Sequence, residues 1–401
     1  MPSLMPVADA LDKLLDPVSR NSVEHVNLHM ALNRTLARDI AARRDQPPFP
    51  ASAMDGYAVR AVDIASPPNT LRVIGEAAAG HHYSGEVKTG EAVRIFTGAP
   101  VPPGADTILI QENTSLEGRF VTALQAETAG RYVRKPGLDF TNGEQLLQKG
   151  AVLDYRAIAI AASMNHATLP VFRKPRVAVL ATGDELVLPG SNPGPDQIIA
   201  SNSFGIAAFV EKNGGKTLDL GIVADNESDI SAAISMAKQQ GADILVTIGG
   251  ASVGDHDLVQ KVLRSSGMEL EFWRIAMRPG KPLIAGQLEN MRVLGLPGNP
   301  VSSLVCSVLF LAPLLQKMLG QEVVQQTQSA ILGANIAKND IRQEYLRATL
   351  VQDASGKRTA TPFKRQDSSI LSLYHKADCL IIRPSHAKAA TSGDKCTVLI
   401  L

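Results

Sequence analysis

Aromatic side chains are scarce in this chain: Phe, Trp and Tyr make up 4% of 401 residues, with a single tryptophan. So thin a supply argues against a surface that stacks single-stranded bases. Cysteine is equally sparse. Cys306, Cys379 and Cys396 are an odd number with no CxxC spacing, which argues against a disulfide framework or a zinc cluster and fits a reducing compartment. Charge of one sign is not in excess either. The 40 Lys and Arg stand against 39 Asp and Glu, a formal +1, so no global field exists to hold a nucleic-acid backbone or an anionic membrane, and any anion site must be local. Long apolar runs are missing as well. Asp9 and Asp12 interrupt the stretch that a signal peptide would need, and the most apolar segment, residues 301–315, holds three serines and Pro313 and falls short of the roughly 20 residues that span a bilayer. The expectation is a cytoplasmic protein that binds neither nucleic acid nor membrane.

What is present suits a folded chain of several domains. Apolar residues at 45% and charged residues at 20% supply ample cores, and at roughly 150 residues per domain the length suggests two to four of them. Residues 5–17 and 23–40 carry apolar side chains at helical spacing (Val7, Leu11, Leu14, Leu15; then Leu28, Leu32, Leu36, Ile40), which predicts a helical entry. In QPPFPASAMDGYAV three prolines within five residues then stop any helix before a turn at Asp55 and Gly56. Short β runs follow at residues 71–74, 92–95, 107–110 and 120–123, and residues 155–162 return to helical character. From Arg176 to Gly320 near-continuous apolar strands alternate with helices, the signature of a doubly wound sheet covered on both faces. Residues 329–401 resume short strands, with turns such as DASGK and TSGDK.

The predicted fold class is therefore α/β plus β: a doubly wound, mostly parallel α/β domain, two smaller β domains and an elongated helical N-terminal linker domain. The expected boundaries are 1–45 with 145–173 for the linker domain, 46–144 for the inserted β domain, 174–326 for the α/β domain and 327–401 for the last β domain.

Open α/β sheets bind ligands at the carboxyl ends of their strands. Three loops fall there: Thr182, Gly183, Asp184, Glu185; then Gly249, Gly250, Ala251, Ser252, Val253, Gly254, Asp255, His256, Asp257; and Gly295 to Ser302, with Gly298 and Asn299 at its centre. A single glycine loop is by default a tight turn, but three at one sheet edge outline a phosphate cradle, because glycine lets backbone amides approach an anion and a following helix adds partial positive charge. Glu185, Asp225 and Asp257 lie among these loops. Carboxylates beside phosphates suit Mg²⁺, which takes a few of them plus phosphate oxygens, although Asp225 and Asp257 are also good helix caps. In MRPGKP, Arg278 and Lys281 sit on a stiff Pro-Gly turn that fixes the separation of two cations, as a small oxyanion requires. Asp55 in SAMDGYA and Thr97 in IFTGAPVP are, on residue chemistry alone, turn residues. Arg342 and Arg347 in RQEYLRA, and Lys364, Arg365 and Ser368 in KRQDSS, fit a solvated face equally well.

Taken in order, SAMDGYA, TGAPVP, TGDEL, GGASVGDHD, MRPGKP and GLPGNPVS resemble the MoeA family of molybdopterin molybdenumtransferases, related to the E domain of gephyrin. The resemblance covers nearly the whole chain. It implies a four-part elongated subunit, a homodimer whose active site is shared between subunits, and Mg²⁺-dependent insertion of molybdate into adenylylated molybdopterin with release of AMP. By match to the motifs it implies functional roles for Asp55, Thr97, Glu185, Asp225 and Asp257, the last three as metal ligands. It also implies ligand contacts from Thr182, Gly183, Gly249, Gly250, Ser252, Gly254, Gly298 and Asn299, and a molybdate pocket of Arg278, Lys281, Ser302, Arg347 and Ser368. The pathway's adenylyltransferase is a candidate partner. Its own activity is the nearest rival reading, opposed by the two additional β domains; a gephyrin-like scaffold is a second, opposed by the lack of long linkers. This sequence departs from the family pattern at Arg278, where Lys is frequent, at Ile248, at Ala200, and at Asp367, which replaces a glycine. A carboxylate beside an oxyanion pocket must point away or pair with Lys364 or Arg365.

Overall fold

The chain forms two compact units, one comprising Met1–Glu24, Asn33–Ala37 and Val171–Leu401, the other His25–Leu32 and Arg38–Pro170. The structure, a computed structural model, describes residues 4–249 and 258–401.

At the centre of the larger unit lies a six-stranded sheet in the order Lys216–Val223, Arg176–Thr182, Ile244–Ile248, Met291–Leu296, Pro282–Leu288, Glu269–Arg274. The first four strands run parallel and the last two add antiparallel pairings. RVAVLAT reads as a continuous apolar run because alternate residues feed two different cores. Val177 and Val179 pack with Ile206, Val210, Val301 and Val305, whereas Ala178 and Leu180 pack with Ile230, Ile234, Val259 and Leu263. Each large side chain so buried contributes about 1.5–3 kcal/mol.

The helices are Asn202–Lys212, Glu227–Gln239, Leu258–Ser265 and a long one in three parts: α over Pro300–Cys306, π over Ser307–Leu311 and α over Ala312–Met318. Those nineteen residues are long and apolar enough to cross a membrane, a little beyond the stretch judged from sequence. With most of them buried within the protein, they form a core helix.

The N-terminal helix Val7–Leu15 buries Val7, Ala10 and Leu14 in the core that holds Val177. The second expected helix is absent. Residues 23–40 instead give the strand Val23–Asn27 and a 3₁₀ turn over Leu28–Met30, so the helical linker is a correction. The Asn27 side chain accepts the Met30 N–H, and Asn33 sits at φ 60°, a conformation no α-helix passes through. The supposed apolar stripe is not one face either, since Leu36 is buried and Leu32 is 53% exposed.

In the last β region Gln343–Gln352, Arg358–Pro362, Thr327–Leu332, Lys395–Ile400 and Cys379–Arg383 close on themselves, because the first also pairs with the last. Met277–Arg278 adds a parallel edge to it. Small residues such as Ala330, Ala348 and Ala360 fill this narrow barrel together with Leu332, Ile381 and Val398.

The smaller unit holds another six-stranded sheet, ordered Thr107–Ile110, Gly56–Val59, Glu91–Ile95, Asn69–Ala77, Phe120–Ala123, Thr114–Glu117. Tyr57, Val59 and Leu109 pack on one face, Ala58, Val93 and Ile108 on the other. The helix Tyr155–Ser163 starts where Asp154 accepts the Ala157 N–H.

Candidate active site

Four parallel strands end at one cleft of about 680 Å³. Thr182, closing the first of these strands, is 4% exposed, and its hydroxyl has no hydrogen-bond partner within the described protein. Gly183 follows at φ +148°, where a Cβ would collide with the Glu185 carboxylate. Gly249, at φ +90° after the strand Ile244–Ile248, would place a Cβ 2.7 Å from the Thr182 carbonyl oxygen. Gly249 is therefore demanded by close approach and by backbone conformation, Gly183 by its backbone conformation, since the Glu185 side chain can swing aside. Asn202 donates its Nδ2 to the Gly298 carbonyl at 2.7 Å and ties two of the loops together.

Two helices begin at this cleft, at Ser201 and Asn299, and neither start has a side-chain cap. At the Ser201 start the uncapped first-turn N–H groups and the positive end of the helix dipole suit an anion, whereas at the Asn299 start Pro300 carries no N–H and the Val301 N–H is taken by the Ser368 carbonyl. Leu186–Val187 pairs with Ile198–Ile199, and the exposed Ile198 and Ile199 give the cleft an apolar wall.

Asp225 lines the same cleft beyond the strand Lys216–Val223, and its N–H donates to Asp184 Oδ1 at 3.1 Å. Burial holds the Asp225 carboxyl above the ordinary carboxylate value, and the charges of Asp184 and Glu185 add to the effect. Negative charge gathered this way fits a divalent cation such as Mg²⁺, which needs only one or two carboxylates plus phosphate oxygens and waters. Among the described residues no group of three His, Cys, Asp or Glu forms a complete ligand set. Gly250, Ser252, Gly254, Asp255, His256 and Asp257 lie outside the described residues.

None of the five residues expected to hold an oxyanion lines this cleft directly. Arg278 does not line the cleft: its Nη1 pairs with Glu344 at 2.8 Å and its Nη2 with Asp340 at 3.5 Å. Lys281 makes no ion pair among the described residues and precedes Pro282, which does line the cleft. Ser302 is buried in the first turn of the long helix. Arg347 is 2% exposed and bonded to the protein's own oxygens, Gln366 Oε1 and the carbonyls of Asp367 and Ile370. The Ser368 carbonyl accepts the Val301 N–H at 3.0 Å, and the neighbouring Ser369 reaches the cleft. Asp367 turns to its own loop, taking the Ser369 N–H at 2.8 Å and the Ser369 hydroxyl at 2.7 Å; these bonds hold its carboxyl below the usual value, and neither Lys364 nor Arg365 pairs with it.

In the smaller unit Asp55 and Thr97, 42 residues apart in sequence, are hydrogen-bonded to each other. Arg94 lies beside them, 5.0 Å from the ring centres of both Tyr57 and Phe96 and bonded to the Gly56 carbonyl and Gln111.

Three family models account for most of the chain. Residues 5–165 match the MoeA N-terminal region (domain I and II), residues 178–317 a model described as "Probable molybdopterin binding domain", and residues 329–401 the MoeA C-terminal region (domain IV). A molybdopterin molybdenumtransferase from Haemophilus influenzae is 35% identical over 399 residues, covering 98% of both chains. The chain belongs to the MoeA family. A Nostoc relative of the same name is 38% identical over 80% of this chain and 75% of its own. A molybdopterin biosynthesis MoeA protein from Pyrococcus horikoshii has the same fold, with a TM-score of 0.85, 31% identity and 99% of each chain covered.

Within this MoeA-family site, Asn202, Ser369 and Gln366 were not singled out from sequence. Asn202 at a helix start beside the cleft was the one available signal, since Asn is a frequent cap. Nothing local marks Gln366, whose chief partner, Arg347, lies nineteen residues away.

Proposed function

We propose that the cleft takes adenylylated molybdopterin and that the protein inserts molybdate into it with release of AMP. The chain is a transferase of molybdenum-cofactor biosynthesis, by family membership along all three matched regions. The observation that carries the finer reading is the meeting of glycine turns, the uncapped helix start at Ser201 and an acidic cluster at four strand ends. Phosphate oxygens need the first two, and a charge-neutralising cation the third.

In this reading the amides near Gly183, Gly249 and Gly298 hold phosphate, Ile198 and Ile199 cover an apolar part of the ligand, and Lys281 meets molybdate. Glu185 and Asp225, joined by Asp257, would hold Mg²⁺, whose contribution when bound is to neutralise charge as the phosphoanhydride opens. The attacking oxygen comes from water or molybdate. No side chain here has to act as a strong base, because positioning and charge neutralisation carry such cleavages. We further propose the division at 1–45 with 145–173, 46–144, 174–326 and 327–401, a cytoplasmic homodimer with sites shared between subunits, and hand-over from the adenylyltransferase.

The test is AMP release from adenylylated molybdopterin with Mg²⁺ while molybdate is titrated. Wild-type protein should show molybdate-dependent release. Lys281→Ala should need about ten- to hundred-fold more molybdate, the worth of one charge-assisted hydrogen bond. Release that ignores molybdate would overturn the reading.

A further inference from the structure

Gln366 sits in a loop of the last β region, and its side-chain amide is fully used. Its Oε1 accepts the Arg347 N–H at 3.0 Å and the Arg347 Nε at 3.2 Å, while its Nε2 donates to the carbonyls of Arg347 at 3.0 Å and Phe363 at 2.9 Å. One side chain thus meets both the N–H and the C=O of Arg347, as a neighbouring antiparallel strand would, and fixes the guanidinium as well.

The guanidinium carries the constraint onward. Arg347 Nη1 donates to the Asp367 carbonyl at 2.9 Å and the Ile370 carbonyl at 3.3 Å, closing the loop at both ends. Between those points the Ser368 carbonyl accepts the N–H of Val301, in the first turn of the helix that opens at the cleft, and Ser369 lines the cleft itself. Among the described residues Arg347 Nη2 makes no hydrogen bond, so Nε and Nη1 are spent on holding and one donor edge is left over. Desolvation of a buried guanidinium is costly unless its donors are met, so without Gln366 the arrangement loses its cheapest geometry.

We infer that Gln366 is a positioning residue: through Arg347 it sets where the 367–370 loop stands against the cleft and which edge of the guanidinium stays free for an oxyanion. The oxyanion clause rests on the molybdate reading above; the loop clause does not. Asp367, turned back onto Ser369, does not obstruct that edge by pairing with it.

The test uses full-length Gln366→Met, which keeps length and volume but makes none of the four bonds, and Gln366→Glu, which keeps both acceptor bonds to Arg347. In hydrogen exchange, Gln366→Met should speed exchange at Val301, Ser369 and Ile370 while amides of the strands Arg176–Thr182 and Cys379–Arg383 keep wild-type rates. In the AMP-release assay it should raise the molybdate concentration for half-maximal rate about tenfold with the pterin-nucleotide requirement within twofold, and Gln366→Glu should recover most of that loss. Unchanged exchange at Val301 and Ser369, or equal losses for molybdate and pterin nucleotide, overturns the inference. Wild-type protein without molybdate-dependent release overturns the reaction reading and the oxyanion clause with it, and exchange then decides the loop clause alone.

Discussion

Thr97 donates both its backbone N–H and its hydroxyl to the same oxygen of Asp55, each at 2.8 Å. The backbone bond, then the hydroxyl bond, hold the carboxyl below its ordinary value against a small opposing effect of burial, and Arg94 adds to the lowering. Asp55 is therefore an anchored anion and a poor candidate for a general base.

In Thr97→Val the N–H bond survives and the hydroxyl bond is lost. The Asp55 carboxyl should then titrate at higher pH than in the wild type, read from its carboxyl carbon shift by NMR. Since its folded-state value is depressed, whatever stability the pair gives is present above the unfolded value, about 3.9, and is lost as pH falls through the folded one. An unmoved titration would mean that the N–H alone sets it.

Asp340 is pulled down to about 2, chiefly by the hydrogen bond from the Arg342 side chain, then by the Arg342 N–H, with smaller help from the charges of Arg342 and Arg278. Stabilisation from it should be complete above pH 4 and vanish towards pH 2. Asp340→Asn should thus cost stability at pH 6 and less at pH 3, by urea unfolding. The side chain is 45% exposed, so the difference should stay within about 1 kcal/mol. A gap that does not narrow with acid would assign the loss to packing.

Gly280, in the turn between Arg278 and Lys281, stands at φ +100°, and a Cβ there would lie 2.5 Å from Cys306 Sγ and 3.1 Å from Met277 Cε. Gly280→Ala should cost about 1–3 kcal/mol and raise the molybdate requirement by moving Lys281. Adding Cys306→Ala should return part of the loss, because it relieves the clash but not the backbone strain. Denaturant unfolding of the single and double variants measures both.

Burial raises all three thiols: Cys306 and Cys379 are buried, the latter pushed up to about 12, and Cys396 is only partly covered. Alkylation follows the thiolate fraction and access. Iodoacetamide on the native protein at pH 8 should label Cys396 first, with the other two reacting only on unfolding, as peptide mass spectrometry would reveal. Early labelling of Cys306 would contradict its place in the core.

The α/β elements were legible because strands covered on both faces leave continuous apolar runs such as RVAVLAT, and the strands Thr107–Ile110 and Phe120–Ala123 fall where the short β runs put them. Residues 23–40 mimic a helix because leucines four apart satisfy helical spacing whether or not they share a face, while the strand Val23–Asn27, the 3₁₀ turn capped by Asn27 and the left-handed Asn33 break the series. The pairing of Asp55 with Thr97 needed the antiparallel register of Gly56 against Ile95, which no local pattern encodes. Arg278 and Lys281 look alike as cations in MRPGKP. They differ in what faces them: the alignment of Arg278 with Glu344 across two strands neutralises one and not the other.

The π segment Ser307–Leu311 divides the long core helix into two α-helical stretches. A π turn accommodates one residue more than α winding would, so the two stretches are phased about one residue, roughly 100°, apart from an uninterrupted helix. Deleting a single residue within 307–311 should let the helix wind straight through while Ser302 and Leu314 each keep their present side. The same deletion at Ser303 or Leu315 would swing one end off its face and push polar atoms into the apolar interior. This helix therefore carries a built-in place where the chain can lose a residue, and it lies one turn beyond the part that reaches the cleft.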